Sequence, residues 1–252
     1  MDCRIVKEHY DNGKEKVVQY YGNCKDKSTF KEQIFYENGQ ISSEGYFVNG
    51  VKNGKFKSWT EKGILTAKWE MLDGEEHGFI KCWYENGVKK REGVLNRGIE
   101  NGIFKDWDEN GDPIVAGKYK NGKKDGEWTY WEENGSIKVR TYRNDTLWGY
   151  TYEFLVDSIS KLHVIGQFEK GMEEGLWKWF DSDSILYQTA VYKNGDFTGE
   201  YIQYYKDGKV KSKGNLINEK YEGDVIYYDN NEKANRIISY KNGIKIKDRG
   251  FK

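Results

Sequence analysis

The chain has 252 residues, and its 41 Lys+Arg balance 41 Asp+Glu, so a polyanion-binding protein of high positive charge is excluded at the outset. Charged residues make up 33% and hydrophobic ones 37%, a balance that leans toward disorder, yet aromatic residues reach 16%, which disordered chains lack. Apolar area is concentrated in a few large side chains, which suits a thin structure with much surface per residue better than a thick core.

The opening stretch, MDCRIVKEHYDNGKEK, has no apolar h-region, and no window approaches the roughly 18 apolar residues of a membrane span. As it stands the sequence predicts a cytoplasmic protein. Three cysteines, Cys3, Cys24 and Cys82, form no CxxC spacing and argue against a disulfide framework or a zinc cluster. The alternative is an exported, lipid-anchored chain, which an apolar leader ending just before Cys3 would mark.

From about residue 30 the sequence repeats. Glycines recur at Gly54, Gly78, Gly102, Gly126, Gly149, Gly175, Gly199 and Gly223, at separations of 23 to 26 residues and most often 24. The fifth residue after each is aromatic: Trp59, Trp83, Trp107, Trp131, Phe154, Phe180, Tyr204 and Tyr228. These eight are expected to stack as a structural ladder in place of a conventional core. A second ladder runs through Phe47, Met71, Leu95, Tyr119, Tyr142, Phe168, Tyr192, Leu216 and Tyr240. Two turn signals fall between the ladders in most units, such as Asn86-Gly87 and Asn121-Gly122, and leave about 5–7 residues for each intervening segment. That length suits strands.

The predicted fold is therefore all-β: an elongated, single-sheet, antiparallel β-hairpin solenoid, twisted and curved. Residues 1–29 are expected as an N-terminal cap or irregular first hairpin, 30–244 as tandem ~24-residue hairpin repeats, and 245–252 as a charged C-terminal cap. The G-x-W-x-x-W-x-E-N-G and Y-x-N-G-K patterns, as in GEWTYWEENG (126–135) and YKNGK (119–123), resemble the MORN repeat in the bacterial variant form of proteins labelled YwqK family antitoxins. The resemblance spans about 30–250 and implies a toxin-neutralising or other protein-binding role. It is interrupted at 149–175, where VDSISK replaces the turn signature, and at 181–184, where DSDS does so.

No constellation for chemistry interrupts the repeat. His9, His77 and His163 occupy unrelated phases, no H-E-x-x-H, G-x-S-x-G, Walker or Rossmann pattern occurs, and Cys82 sits in a variable slot. The expectation is a non-enzyme with no catalytic residue, cofactor or metal. Basic clusters such as Lys89-Lys90-Arg91 and Lys206 to Lys213 fall at turns among acids, which disfavours nucleic acid and leaves membrane lipid as a minor alternative. Candidate partner contacts are the large aromatics in slots that vary between repeats: Tyr130, Trp179 and Tyr227 at the fourth position, with Tyr84, Tyr152 and Tyr205 nearby. The expected function is a non-catalytic scaffold that binds a partner protein, such as a toxin, along a curved aromatic face. The rival is an exported adhesive or structural repeat protein.

Overall fold

A computed structural model describes residues 3–154 and 161–251. Residues 156–160, most of the VDSISK interruption, lie outside the described residues. The fold is all-β, with no helix among the described residues, and the chain divides into two compact units, Met1–Lys123 and Lys124–Lys252.

The first unit contains β1 (Cys3–His9), β2 (Glu15–Tyr21), β3 (Thr29–Phe35), β4 (Ile41–Val48), β5 (Val51–Trp59), β6 (Leu65–Leu72), β7 (Glu75–Glu76), β8 (Gly78–Trp83), β9 (Lys89–Asn96), β10 (Ile99–Glu100), β11 (Gly102–Trp107) and β12 (Pro113–Lys120). The second contains β13 (Lys123–Trp131), β14 (Ile137–Arg143), β15 (Thr146–Phe154), β16 (Leu162–Glu169), β17 (Met172–Phe180), β18 (Leu186–Lys193), β19 (Asp196–Tyr204), β20 (Val210–Ile217), β21 (Lys220–Tyr228), β22 (Ala234–Lys241) and β23 (Ile244–Gly250). Within each unit strands pair antiparallel with their neighbours in sequence, as a meander of hairpins. The N-terminal segment folds as the hairpin β1–β2, with register shifts between Val6 and His9. The charged C-terminal run forms β23, held on β22 by a two-pronged Arg236–Asp248 pair at 2.9 and 2.7 Å.

The two turn signals of each repeat are different turns. The second kind is a two-residue turn with both residues left-handed, as in Asn121 (φ 52°) and Gly122 (φ 77°), the type I′ geometry whose twist matches the flanking strands. Asn144-Asp145 and Asn218-Glu219, which lack glycine, adopt the same conformation. The first kind is longer, with one left-handed residue: the Tyr84 N–H donates to Val88 O at 2.9 Å, the Gly87 N–H donates back to Tyr84 O at 3.0 Å, and Asn86 Oδ1 accepts from the Val88 N–H at 2.9 Å. Asp108, Asp181 and Asp229 cap the equivalent turn from its first residue.

The register glycines mark β-bulges. Gly102 has φ 133°, a conformation L side chains rarely adopt. There β10 ends at Glu100, opposite Leu95, and pairing resumes with Lys105 opposite Glu92, so one strand advances five residues while its partner advances three.

Strand alternation gives each sheet two chemically different faces. One is packed. It carries the second residue after each register glycine, including Phe56 (5% exposed) and Phe104 (3%) in the first unit and Trp128 (3%), Trp177, Tyr201 and Val225 in the second. These join the second ladder in chains of ring contacts: Tyr21–Phe30–Phe47–Phe56–Trp69 at 5.0–5.7 Å in the first unit, and Phe168–Trp177–Tyr192–Phe197–Tyr201–Tyr221–Tyr240 at 5.1–6.1 Å in the second. The rings are accommodated by small residues on the neighbouring strand. A Cβ on Gly45 would lie 2.0 Å from the Phe56 ring, one on Gly93 2.2 Å from Phe104, and one on Gly166 2.1 Å from Trp177. Where the second residue is the small Thr151, its cross-strand partner is the large Arg140, which donates to the Thr151 hydroxyl. At these positions a large side chain on one strand meets a small residue on the strand beside it.

The core therefore differs from the sequence expectation. Trp59, Trp83, Trp107, Trp131, Phe154, Phe180, Tyr204 and Tyr228 are half-buried on the opposite face, and among the described residues no two of them are in ring contact. The buried stack lies three residues earlier. Fifth-position residues contribute through their backbones instead: Tyr36 Oη donates to Trp59 O, Tyr84 Oη to Trp107 O and Tyr205 Oη to Tyr228 O at 2.8–2.9 Å, while His163 Nδ1–H donates to Phe180 O at 2.8 Å.

Candidate functional site

The first, third and fifth residues after each register glycine share the open face, which among the described residues no second layer of the same unit covers. The fifth is aromatic in every repeat. The first is a large apolar residue at Phe79 (63% exposed) and Ile103 (62%) in the first unit and at Tyr150 (57%) and Leu176 (51%) in the second. Apolar side chains this exposed, repeated beside half-buried rings, are not required by the packing of the sheet.

The third position distinguishes the units. In the first it is lysine three times running, Lys57, Lys81 and Lys105, and cross-strand pairing completes the row. Glu44 lies opposite Lys57, Lys57 opposite Lys68, Lys68 opposite Lys81, Lys81 opposite Glu92, and Glu92 opposite Lys105. Three lysines on three adjacent strands thus face one another directly, an arrangement that destabilises a sheet. Among the described residues one nearby carboxylate, Glu44, pairs with the row, through Lys57. Glu44 bonds Lys31 at 2.6 Å and Lys57 at 3.3 Å, Glu92 bonds Lys89 at 2.9 Å, and Glu70 lies opposite Lys55. Among the described residues Lys68 and Lys81 have no ion pair, and Lys68 Nζ sits 5.5 Å from the centre of the Trp83 ring. A cleft of about 440 Å³ opens over this row, lined by Lys55, Lys57, Lys68 and Lys81 together with Phe79, Trp83 and a single carboxylate, Glu70.

The lysine field is visible in the acids at its ends. Burial pushes the Glu44 carboxyl up, but hydrogen bonds from Lys31, Gln33 and Lys57 outweigh it and hold it below the usual carboxylate range. The hydrogen bond from Lys89 holds Glu92 down as well, and Lys81 and Lys105 add to the pull. In the second unit the same row reads Thr129, Val139, Tyr152, Ile165, Lys178, Thr189, Ile202, Lys213, Ile226 and Ile237, with no two lysines adjacent.

Five of the six aromatics singled out as partner contacts have packing roles. Tyr130 accepts from Lys124 Nζ at 2.8 Å, donates to Tyr142 Oη at 3.0 Å and stacks on Trp128; burial, with that hydrogen bond adding to it, pushes the Tyr142 phenol up to about 12. Trp179 lies against Trp177 and Tyr192 at 6.2 and 6.4 Å. Tyr227 is half-buried on the same packed face, and burial raises its pKa. Tyr84 and Tyr205 bolt one repeat to the next through the carbonyl bonds described above. Tyr152 stands on the open face, stacked at 6.3 Å on the exposed Tyr150. The structure thus adds the first-position residues Phe79, Ile103, Tyr150 and Leu176 and the row Lys57–Lys68–Lys81. Counting alternate residues from each register glycine would have found the first group; Lys68 becomes a neighbour only through the register of β6.

Cys82 is half-buried on the packed face, where burial pushes its thiol up and makes it a poor nucleophile at neutral pH. Among the described residues no group of three or more His, Cys, Asp or Glu side chains is placed to hold a metal ion.

Four segments match the MORN repeat variant family: residues 31–49, 124–145, 173–194 and 197–218. All four end at a two-residue turn, so the family's repeat coincides with the structural hairpin. A comparison with curated proteins finds no match.

Proposed function

We propose that this array of MORN-type hairpins is a non-catalytic scaffold that binds a partner protein along the open face, and that the partner is a toxin neutralised in the manner of an antitoxin or immunity protein. MORN repeats are non-enzymatic binding modules, which supports the general reading. The observation that carries it is the exposed first-position residues beside the fifth-position rings within each unit, Phe79 and Ile103 in one and Tyr150 and Leu176 in the other. Large apolar anchors on a rigid sheet bury much area at small entropic cost on docking. The toxin assignment rests on the resemblance of the repeat to antitoxin proteins.

The test is co-expression with the product of the adjacent gene, read as growth, followed by calorimetry on the purified pair. The proposal expects growth rescue and a stoichiometric complex that Ile103→Asp and Leu176→Asp each weaken by about tenfold or more. Absence of a complex, or one indifferent to both substitutions, would refute it.

A further inference from the structure

Lys57, Lys68 and Lys81 pose a physical problem that the fold answers only at Lys57, which pairs with Glu44 at 3.3 Å. They come from three adjacent strands, stand directly opposite one another and run about 10 Å across the sheet at the usual strand spacing. Like charges so placed cost stability, and acids close at hand could have relieved them. Only Lys57 is relieved, by Glu44, which also bonds Lys31; Glu92 bonds Lys89, Glu70 lies opposite Lys55, and among the described residues no acid pairs with Lys68 or Lys81. Beside the row lie Phe79, one of the most exposed large apolar residues of the chain, and Trp83, both lining the same cleft of about 440 Å³.

Resting on the protein-binding reading, we infer that this cleft accepts an extended acidic segment of the partner protein, whose carboxylates meet Lys57, Lys68 and Lys81 while an apolar side chain lies on Phe79 and Trp83. Charge complementarity supports this occupant. Carboxylates at alternate positions of an extended chain stand about 7 Å apart, within reach of flexible lysines spread over about 10 Å. A single phosphate fits less well: the row contains no arginine fork, and its side chains project side by side from the sheet instead of converging on one point. A broad anionic surface such as a bilayer fits less well too, because Glu44, Glu70 and Glu92 stand at the margins of the row and repel an extended negative plane. A narrow segment escapes that repulsion. It also supplies the missing counter-charge at Lys68 and Lys81, the two lysines of the row with no ion pair among the described residues.

The experiment uses the full chain and a fluorescent peptide that alternates aspartate with leucine and phenylalanine, followed by anisotropy. Expected are saturable binding that weakens with salt, a loss of about fivefold to tenfold on Lys68→Glu or Lys81→Glu, and no binding of the matching lysine peptide. Lys68→Glu breaks up the like-charge row, so its melting temperature is expected to hold or rise, which separates lost binding from lost folding. The inference is overturned if the acidic peptide does not bind, if its affinity is unchanged by both reversals, or if inorganic phosphate or vesicles of anionic phospholipid compete for the row at lower concentrations than the peptide. The parent reading is scored separately: a partner complex weakened by Leu176→Asp but indifferent to Lys68→Glu and Lys81→Glu removes this inference and leaves the scaffold standing.

Discussion

Gly93→Ala places the opposition of large and small residues across strands under direct test. Gly93 is buried in β9 and lies outside the left-handed region, so alanine is conformationally acceptable there. Backbone entropy alone would then stabilise the variant by about 0.4–1 kcal/mol. Packing predicts the reverse. The new Cβ would sit 2.2, 2.3 and 2.5 Å from Cε1, Cδ1 and Cζ of Phe104, where ordinary contact begins at 3.4 Å, so the ring must retreat by about 1 Å from a site in which it is 3% exposed. Overpacking of this kind costs about 1–3 kcal/mol, which at the midpoints of the two ranges leaves a net loss of about 1.3 kcal/mol. Urea unfolding of Gly93→Ala, Phe104→Leu and the double variant measures it. Because leucine makes room for the added methyl, the double variant should lose less than the sum of the singles by about 1 kcal/mol. A Gly93→Ala variant as stable as the parent, or strictly additive losses, would refute the reasoning.

Four further outcomes follow from the same geometry. Tyr84→Phe removes the bond to Trp107 O and should cost about 1 kcal/mol in urea unfolding; no change would mean that the hydroxyl is not a bolt between repeats. Lys170 holds φ 53° in a two-residue turn, and its contact with Glu169 is long and exposed, so Lys170→Asn should raise stability by about 0.5–1 kcal/mol, whereas a loss would contradict the turn assignment. The Glu44 and Glu92 carboxyls are held below their unfolded values, so their contribution is present above about pH 4.3 and disappears as the pH falls through the lower folded values. Unfolding free energy should therefore decline on acidification, less steeply in Glu92→Gln; identical slopes would count against that role. At the alkaline end burial raises Tyr142 and Tyr201 to about 12, so their stabilisation is complete below about pH 10 and is lost as the pH rises through 12; phenolate absorbance should show this late-titrating class, diminished in Tyr142→Phe.

Much of this architecture is legible in the chain itself. Turn residues and bulge glycines act locally: Asn121-Gly122 needs only its own dihedral preferences to reverse the chain, and Gly102 only its missing side chain, so their recurrence announces hairpins and their spacing. Which aromatic column forms the core is not local. The second position after the register glycine holds Phe56, Ile80, Phe104, Trp128, Thr151, Trp177, Tyr201 and Val225, a mixture that conceals its role when the repeats are aligned. Its regularity lies across the strands, where Gly93 makes room for Phe104 and Arg140 fills what Thr151 leaves. The uniform fifth column attracted attention for its uniformity, yet it lies on the other face.

The candidate site shows the same division. Lys57 and Lys81 occupy one phase of the repeat, and their shared position follows from the sequence by itself. Lys68 belongs to the intervening strand and joins them only because pairing sets it opposite both. Composition, turns and period determine that this protein is a stack of β-hairpins, since each depends on residues close together in the chain. Tertiary structure alone decides which rings are buried and which charges meet, because a strand's side chains acquire neighbours only when the register to the next strand is set.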